Sequence, residues 1–270
     1  MLPMRNRGVT LIELIVVIAI TGIIAAAVAI FIRRPVEGYI DASRRAALTD
    51  EADTALRRIT RDLRLALPNS IRVDATGRFI EFLQTSGGGR YRAVVDNAGA
   101  GKPLDFTATA TDFDVIGPVA TPNAGDQIVI YNLYSSGTVS NAYSGDNRTA
   151  FSGFAAPTMT IAARQFPAES PGKRFHVVTG PVTYGCINGQ LVRYWNYPIA
   201  AAQATPPAGG NSAVLAGNVN IGQCLFVFQA SPASERLATV SMILQLDSVA
   251  AGGGIERVRL FQQAHVSNVP

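Results

Sequence analysis

The run Arg5–Ile32, RNRGVTLIELIVVIAITGIIAAAVAIFI, decides how the rest of the chain is read. A short basic head ends at Gly8, and the apolar stretch that follows carries a single acid, Glu13. From Leu14 to Ile32 there are 19 residues without a charge. At about 1.5 Å per helical residue that is roughly 28 Å, close to the ~30 Å hydrocarbon core of a bilayer. The stretch predicts a membrane-spanning helix over about 9–32, with its backbone polar groups bonded internally. An acid in such a span costs about 2.5–3.5 kcal/mol, so Glu13 calls for a partner. A cut between Gly8 and Val9 would create one. The new amino terminus would lie four residues before Glu13, one helical turn away on the same face.

Two plainer readings compete. One is a secretory signal peptide cut near Ala25-Ala26-Ala27; the other is a simple signal anchor. The first is opposed by the continuation of the apolar run to Ile32 and by the acid inside it.

Residues Gly8-Val9-Thr10-Leu11-Ile12-Glu13 resemble the cleavage region of the type IV prepilin family, where a basic leader and a glycine precede an apolar residue, Thr, Leu, any residue and Glu. The family more often has Phe or Met at the position of Val9. The resemblance implies cleavage after Gly8 by a prepilin peptidase, N-methylation of Val9, and engagement of a neighbouring subunit's amino terminus by Glu13. It implies other pilins as partners through the N-terminal helix. It also implies a single-pass inner-membrane protein with a periplasmic headgroup, later carried on a surface pilus. Stretches such as ALPNSIRV (66–73), RFHVVTGPVTYGC (174–186) and QAHVSNVP (263–270) are similar to minor pilins of the mannose-sensitive haemagglutinin (MSHA) pilus. Those subunits help to initiate or cap the filament. The layout is also similar to the J-type pseudopilins of type II secretion, and a tip adhesin that binds a surface glycan is a further alternative.

Beyond the span the chain turns polar but keeps a helical period. Leu48, Ala52, Ala55, Leu56, Ile59, Leu63 and Leu67 form one apolar stripe. Asp50, Glu51, Asp53, Arg57, Arg58, Arg61, Asp62 and Arg64 make the opposite, charged face. Pro35 predicts a kink, and Pro68-Asn69 a stop. The expected organisation is a leader at 1–8, a long helix at 9–67 and a β-rich headgroup at 68–270.

From Ser70 the period changes to two. Asp74-Ala75-Thr76-Gly77 reads as a turn between two strands, and Asn188-Gly189 as a tight hairpin. Phe175–Thr179 and Val182–Ile187 read as separate strands. Thr85–Arg90 (TSGGGR), Ser135–Pro157 and Ala200–Asn218 read as loops. C-terminal strands are expected at Cys224–Gln229, Leu237–Leu246 and Ile255–Ser267. The fold class is α+β: a long helix followed by antiparallel strands.

Composition narrows the function. The chain is 16% charged with a net charge of +4, and loss of the leader with Arg5 and Arg7 leaves +2. The arginines form no block, so no nucleic-acid footprint is expected. The two cysteines, Cys186 and Cys224, read as one disulfide if the headgroup is exported. A reactive thiol or metal pair is the alternative. No catalytic motif stands out, and an enzyme is not expected. Asn97–Pro103 lacks the glycine spacing and the Ser or Thr of a phosphate loop. His176 and His265 are the only histidines and read as structural. Asn147-Arg148-Thr149 matches a glycosylation tripeptide that arises by chance. No cofactor or metal is expected, although an irregular calcium site of loop oxygens stays open. Tyr184, Tyr194, Trp195 and Tyr197, beside Cys186, read as core and hairpin residues, with a sugar-stacking face as the functional alternative.

Overall fold

The computed structural model describes residues 8–230, 237–250 and 253–270. Leader residues 1–7, with Arg5 and Arg7, lie outside the described residues, as do 251–252 of the glycine-rich link. Helix α1, Leu11–Leu63, has 53 residues, about 80 Å at the usual helical rise. Thr10 caps it, its hydroxyl accepting from the Glu13 amide at 3.3 Å. Thr10 and Glu13 stand at the Ncap and N3 positions of a capping box.

α1 passes through Pro35 without a break. It also ends at Leu63 rather than at 67. Tertiary pairing captures the next residues: the Leu67 amide donates to the Leu83 carbonyl at 2.7 Å and the Thr85 amide to the Leu65 carbonyl at 2.8 Å. Ala66 bridges to Gln84. These backbone bonds turn the chain before Pro68 could stop it.

The headgroup follows as β1 (Arg72–Val73), β2 (Phe79–Tyr91), β3 (Ala110–Ile116), β4 (Gln127–Ile130), β5 (Arg148–Ala155) and β6 (Thr158–Arg164). Then come β7 (Arg174–Ile187), β8 (Gln190–Trp195), β9 (Asn211–Ala216), β10 (Leu225–Ala230), β11 (Leu237–Val249) and β12 (Ile255–Ser267). Nine strands make one antiparallel sheet in the order β1-β2-β3-β6-β5-β4-β7-β8-β9, and β10-β11-β12 make a second. Two segments expected to be loops contain strands, β5 within 135–157 and β9 within 200–218. Few large apolar residues mark either one; pairing with neighbouring strands makes them β structure. Asn188 and Gly189 form the expected hairpin turn, with φ of 52° and 74°, the left-handed pair of a type I′ turn.

β2 and β7 are long enough to serve two assemblies. Phe79–Gln84 pairs with Gly180–Gly185, and Gly87–Arg90 pairs with Arg174–Val177, with register shifts around Thr85. The two expected strands of 174–187 are therefore one bent strand. Because β2 also pairs with β3, the strands β2, β3, β6, β5, β4 and β7 close into a ring. Tyr91, Phe113, Ile128, Met159 and Phe175 belong to its apolar core. The triglycine run expected as a flexible loop is strand, and its lack of side chains has a steric reason. A Cβ on Gly88 would lie 2.6 Å from the Phe175 carbonyl oxygen.

The other halves of β2 and β7 join β8, β9 and the second sheet around α1. Leu48, Ala52, Ala55, Leu56, Ile59 and Leu63 form one core with Phe82, Tyr184 and Leu191 of the large sheet and with Val240, Met242 and Val266 of the small one. Glu256 of β12, nearly buried, holds the Arg45 Nε at 2.5 Å and ties the small sheet to the helix. Cys186, at the end of β7, is bonded to Cys224, just before β10, with Cα atoms 6.4 Å apart. The bond therefore staples the two sheets.

Two outcomes follow from this architecture. Gly88→Ala lowers stability by about 1–3 kcal/mol through forced backbone displacement, read as a lower thermal midpoint. Changing both cysteines to alanine, or reducing the bond, removes about 4 kcal/mol in the chain-entropy model. A guanidinium titration with and without reductant measures it.

Candidate functional site

The N-terminal end is built from backbone and apolar surface. Gly8, Val9 and Thr10 precede the helix and are exposed, and every residue from Leu11 to Ile32 is exposed too. Val9 is 71% and Leu11 78% accessible, values otherwise unfavourable for large apolar side chains in water. Among the described residues, α1 is the one helix long and apolar enough to cross a membrane. Thr21, a polar residue in this span, is satisfied internally, its hydroxyl donating to the Val17 carbonyl at 2.7 Å. Glu13 lies in the first helical turn, where the helix dipole favours an acid. Its carboxylate has no described partner of opposite charge. Gly8, Val9 and Glu13 thus lie close together at one exposed tip.

The aromatic group near the disulfide is woven into the fold. The Tyr184 hydroxyl donates to Asp62 at 2.6 Å, and Arg193 Nε reaches the same carboxylate at 3.0 Å. Asp62 and Arg193 are buried, so Asp62 does not belong to the solvated face assigned to it. The reason is its place on the helix: it falls between Ile59 and Leu63, near enough to the stripe to be covered once the sheet arrives. The Arg193 guanidinium lies 4.8 Å over the Trp195 ring. Tyr197 shares a hydrogen bond of 2.6 Å with Thr183. Burial, helped by Asp62, pushes the Tyr184 hydroxyl far above its ordinary range. Nearby, burial raises the Glu81 carboxyl against the opposing pull of Arg72, whose guanidinium sits 2.7 Å away. Asp62, Tyr184 and Arg193 hold α1 to the sheet, and Tyr194, Trp195 and Tyr197 are half-buried.

The remaining sequence candidates fall out similarly. In 97–103, the Asp96 carboxylate accepts from the Ala98 and Ala100 amides, and Lys102 pairs with Asp112 at 2.5 Å. The loop is ordered by its own acids and its lysine is engaged. Asn147 is fully buried, so the glycosylation tripeptide presents no acceptor. Among the described residues no three of His, Cys, Asp and Glu gather in a metal-ligating group. His176 is held neutral: burial, then the Arg174 charge, lowers it to about 4.

Residues 3–29 match the family model described as the prokaryotic N-terminal methylation motif. No curated protein and no solved structure matches the chain significantly. The matched motif, the long apolar helix and the large antiparallel headgroup support a type IV pilin-like or pseudopilin subunit. They fit a membrane-anchored protein of the prepilin type.

The His176 shift has a definite sign. Its folded value lies below the unfolded value of 6.5, so its contribution is complete above pH 6.5 and is lost as the pH falls towards 4. The loss amounts to roughly 2–3 kcal/mol. Denaturant titrations at pH 7 and pH 4 measure it, and His176→Gln flattens the difference.

Proposed function

We propose that the chain is a minor pilin that initiates or caps an MSHA-type type IV pilus, and that its particular likeness is to the subunit MshO. Prepilin peptidase cuts between Gly8 and Val9, and Val9 becomes N-methylated. The span then holds the subunit in the inner membrane, with the leader cytoplasmic and the headgroup periplasmic, until extraction into the filament. The observation that carries this reading is the division of α1. Its first half exposes apolar side chains all round, while the stripe from Leu48 to Leu63 near its other end is buried in the headgroup.

That division supports a physical mechanism. Lipid contacts of Leu11–Ile32 are exchanged for contacts with neighbouring helices. Within this apolar setting Glu13 gains a counter-charge from the amino terminus of an adjacent subunit. A carboxylate that is costly in lipid then favours a specific register between subunits. Other pilins are the partners, and the protein needs no cofactor for this role.

Mass and N-terminal sequence of protein isolated from membranes test the processing: N-methylated Val9 is the expected first residue. For assembly, Glu13→Gln is the informative change, because glutamine keeps the capping box with Thr10 and removes the charge. Incorporation into pili falls about tenfold or more for Glu13→Gln and Glu13→Ala alike, with the headgroup's melting unchanged. Wild-type incorporation of Glu13→Gln would assign Glu13 a capping role instead.

A further inference from the structure

Two arginines lie side by side on the ring of strands with no counter-ion among the described residues. Arg148 opens β5 and Arg164 closes β6. The strands are antiparallel with Phe151 opposite Ile161, and extending that register sets Arg148 opposite Arg164. Like charges in this relation destabilise a sheet. Both side chains are half-buried, and the Nε of each is buried without a hydrogen-bond partner. Arg148 has one long contact to Gln127, at 3.5 Å. Burial and the Arg164 charge both work against its charged form.

The acid nearest in sequence does not neutralise them. Asp146 lines the same cleft, but its carboxylate accepts from the Ser140 and Asn141 amides, at 2.5 and 3.0 Å, and from the Ser144 hydroxyl at 3.1 Å. Neither arginine forms an ion pair with a described acid. The cleft has a volume of about 530 Å³, and Gln127, Thr138 and Ser144 line it with the two arginines. That volume is in the range of small-molecule sites, roughly 300–1,000 Å³.

We propose that this cleft binds a carboxylate-bearing sugar unit of an acidic polysaccharide. The planar carboxylate is held by the two guanidinium forks, and the hydroxyls by Gln127, Thr138 and Ser144. Guanidinium is the group best shaped for two-point recognition of a carboxylate. An anion held by the terminal guanidinium nitrogens relieves the repulsion between the two cations. The hydroxyl and amide lining selects a sugar over a simple acid. The site lies on the ring and shares no residue with α1.

The test is calorimetric titration of the full-length protein in detergent micelles with trigalacturonate. Maltotriose, acetate and inorganic sulfate serve as separate arms. Saturable binding of trigalacturonate is expected, with maltotriose and both small anions at least about tenfold weaker. Arg148→Gln and Arg164→Gln each weaken trigalacturonate binding about tenfold or more, and Arg164→Lys, which keeps the charge without the fork, weakens it less. Circular dichroism melts identify any variant that fails to fold; Arg164→Lys then carries the comparison. No saturable binding by the wild type overturns the proposal. So does equal binding of maltotriose, or equal binding of sulfate or acetate, which would leave a mere anion site. Wild-type affinity in folded glutamine variants overturns it as well.

Discussion

A single stripe of small and branched side chains, Leu48 to Leu63 on one face of α1, holds the molecule together. Both sheets converge on it: the small sheet and the β2, β7, β8 and β9 side of the large one bury their inner faces against it. The alanines at 52 and 55 let strands approach closely, while Leu56, Ile59 and Leu63 fill the space between the sheets. Dense packing of this kind leaves little room for adjustment, because interiors sit near crystal density. The same helix carries an apolar half that nothing among the described residues covers. An extended rod with one end in a globular core and the other end bare is a design for insertion into something else. Lipid and neighbouring helices are the two apolar surroundings that meet that need.

The headgroup solves a second problem, how to join a helix-packing sheet to a separate apolar core. β2 and β7 run through both, bending where their register shifts around Thr85. Glycines at 88 and 89 let the backbones come together where a side chain would collide with Phe175. The disulfide between Cys186 and Cys224 then fixes the small sheet to the end of β7. The two cores are therefore mechanically connected through strands rather than through a hinge.

Buried charge is used in two opposite ways. Around Asp62, Tyr184 and Arg193, donors and acceptors match and the network pins the helix to the sheet. Such matching is what makes buried ions tolerable, since an unmatched one costs several kcal/mol. At Arg148 and Arg164 the matching is missing. Asp62 pairs with Arg193, whereas no described acid pairs with Arg148 or Arg164, and the proposed ligand supplies that charge.

Much of the design was legible in the residues alone. Uniform apolarity over Leu14–Ile32 predicts a span because the physics is one-dimensional: length and charge suffice. The stripe from Leu48 to Leu63, the Asn188-Gly189 turn and the α+β class follow from local periodicity and turn chemistry. Other features required three dimensions. The end of α1 at Leu63 depends on backbone bonds to β2. The strand character of 85–90 depends on pairing with β7, because glycine has no local preference for a strand. Asp62 reads as a surface acid until the sheet covers it, and Arg148 and Arg164 read as unrelated residues until adjacent strands set them side by side. The sequence by itself determined what each segment could bury. The tertiary structure alone decided which polar groups were buried together, because that depends on contacts between residues far apart along the chain.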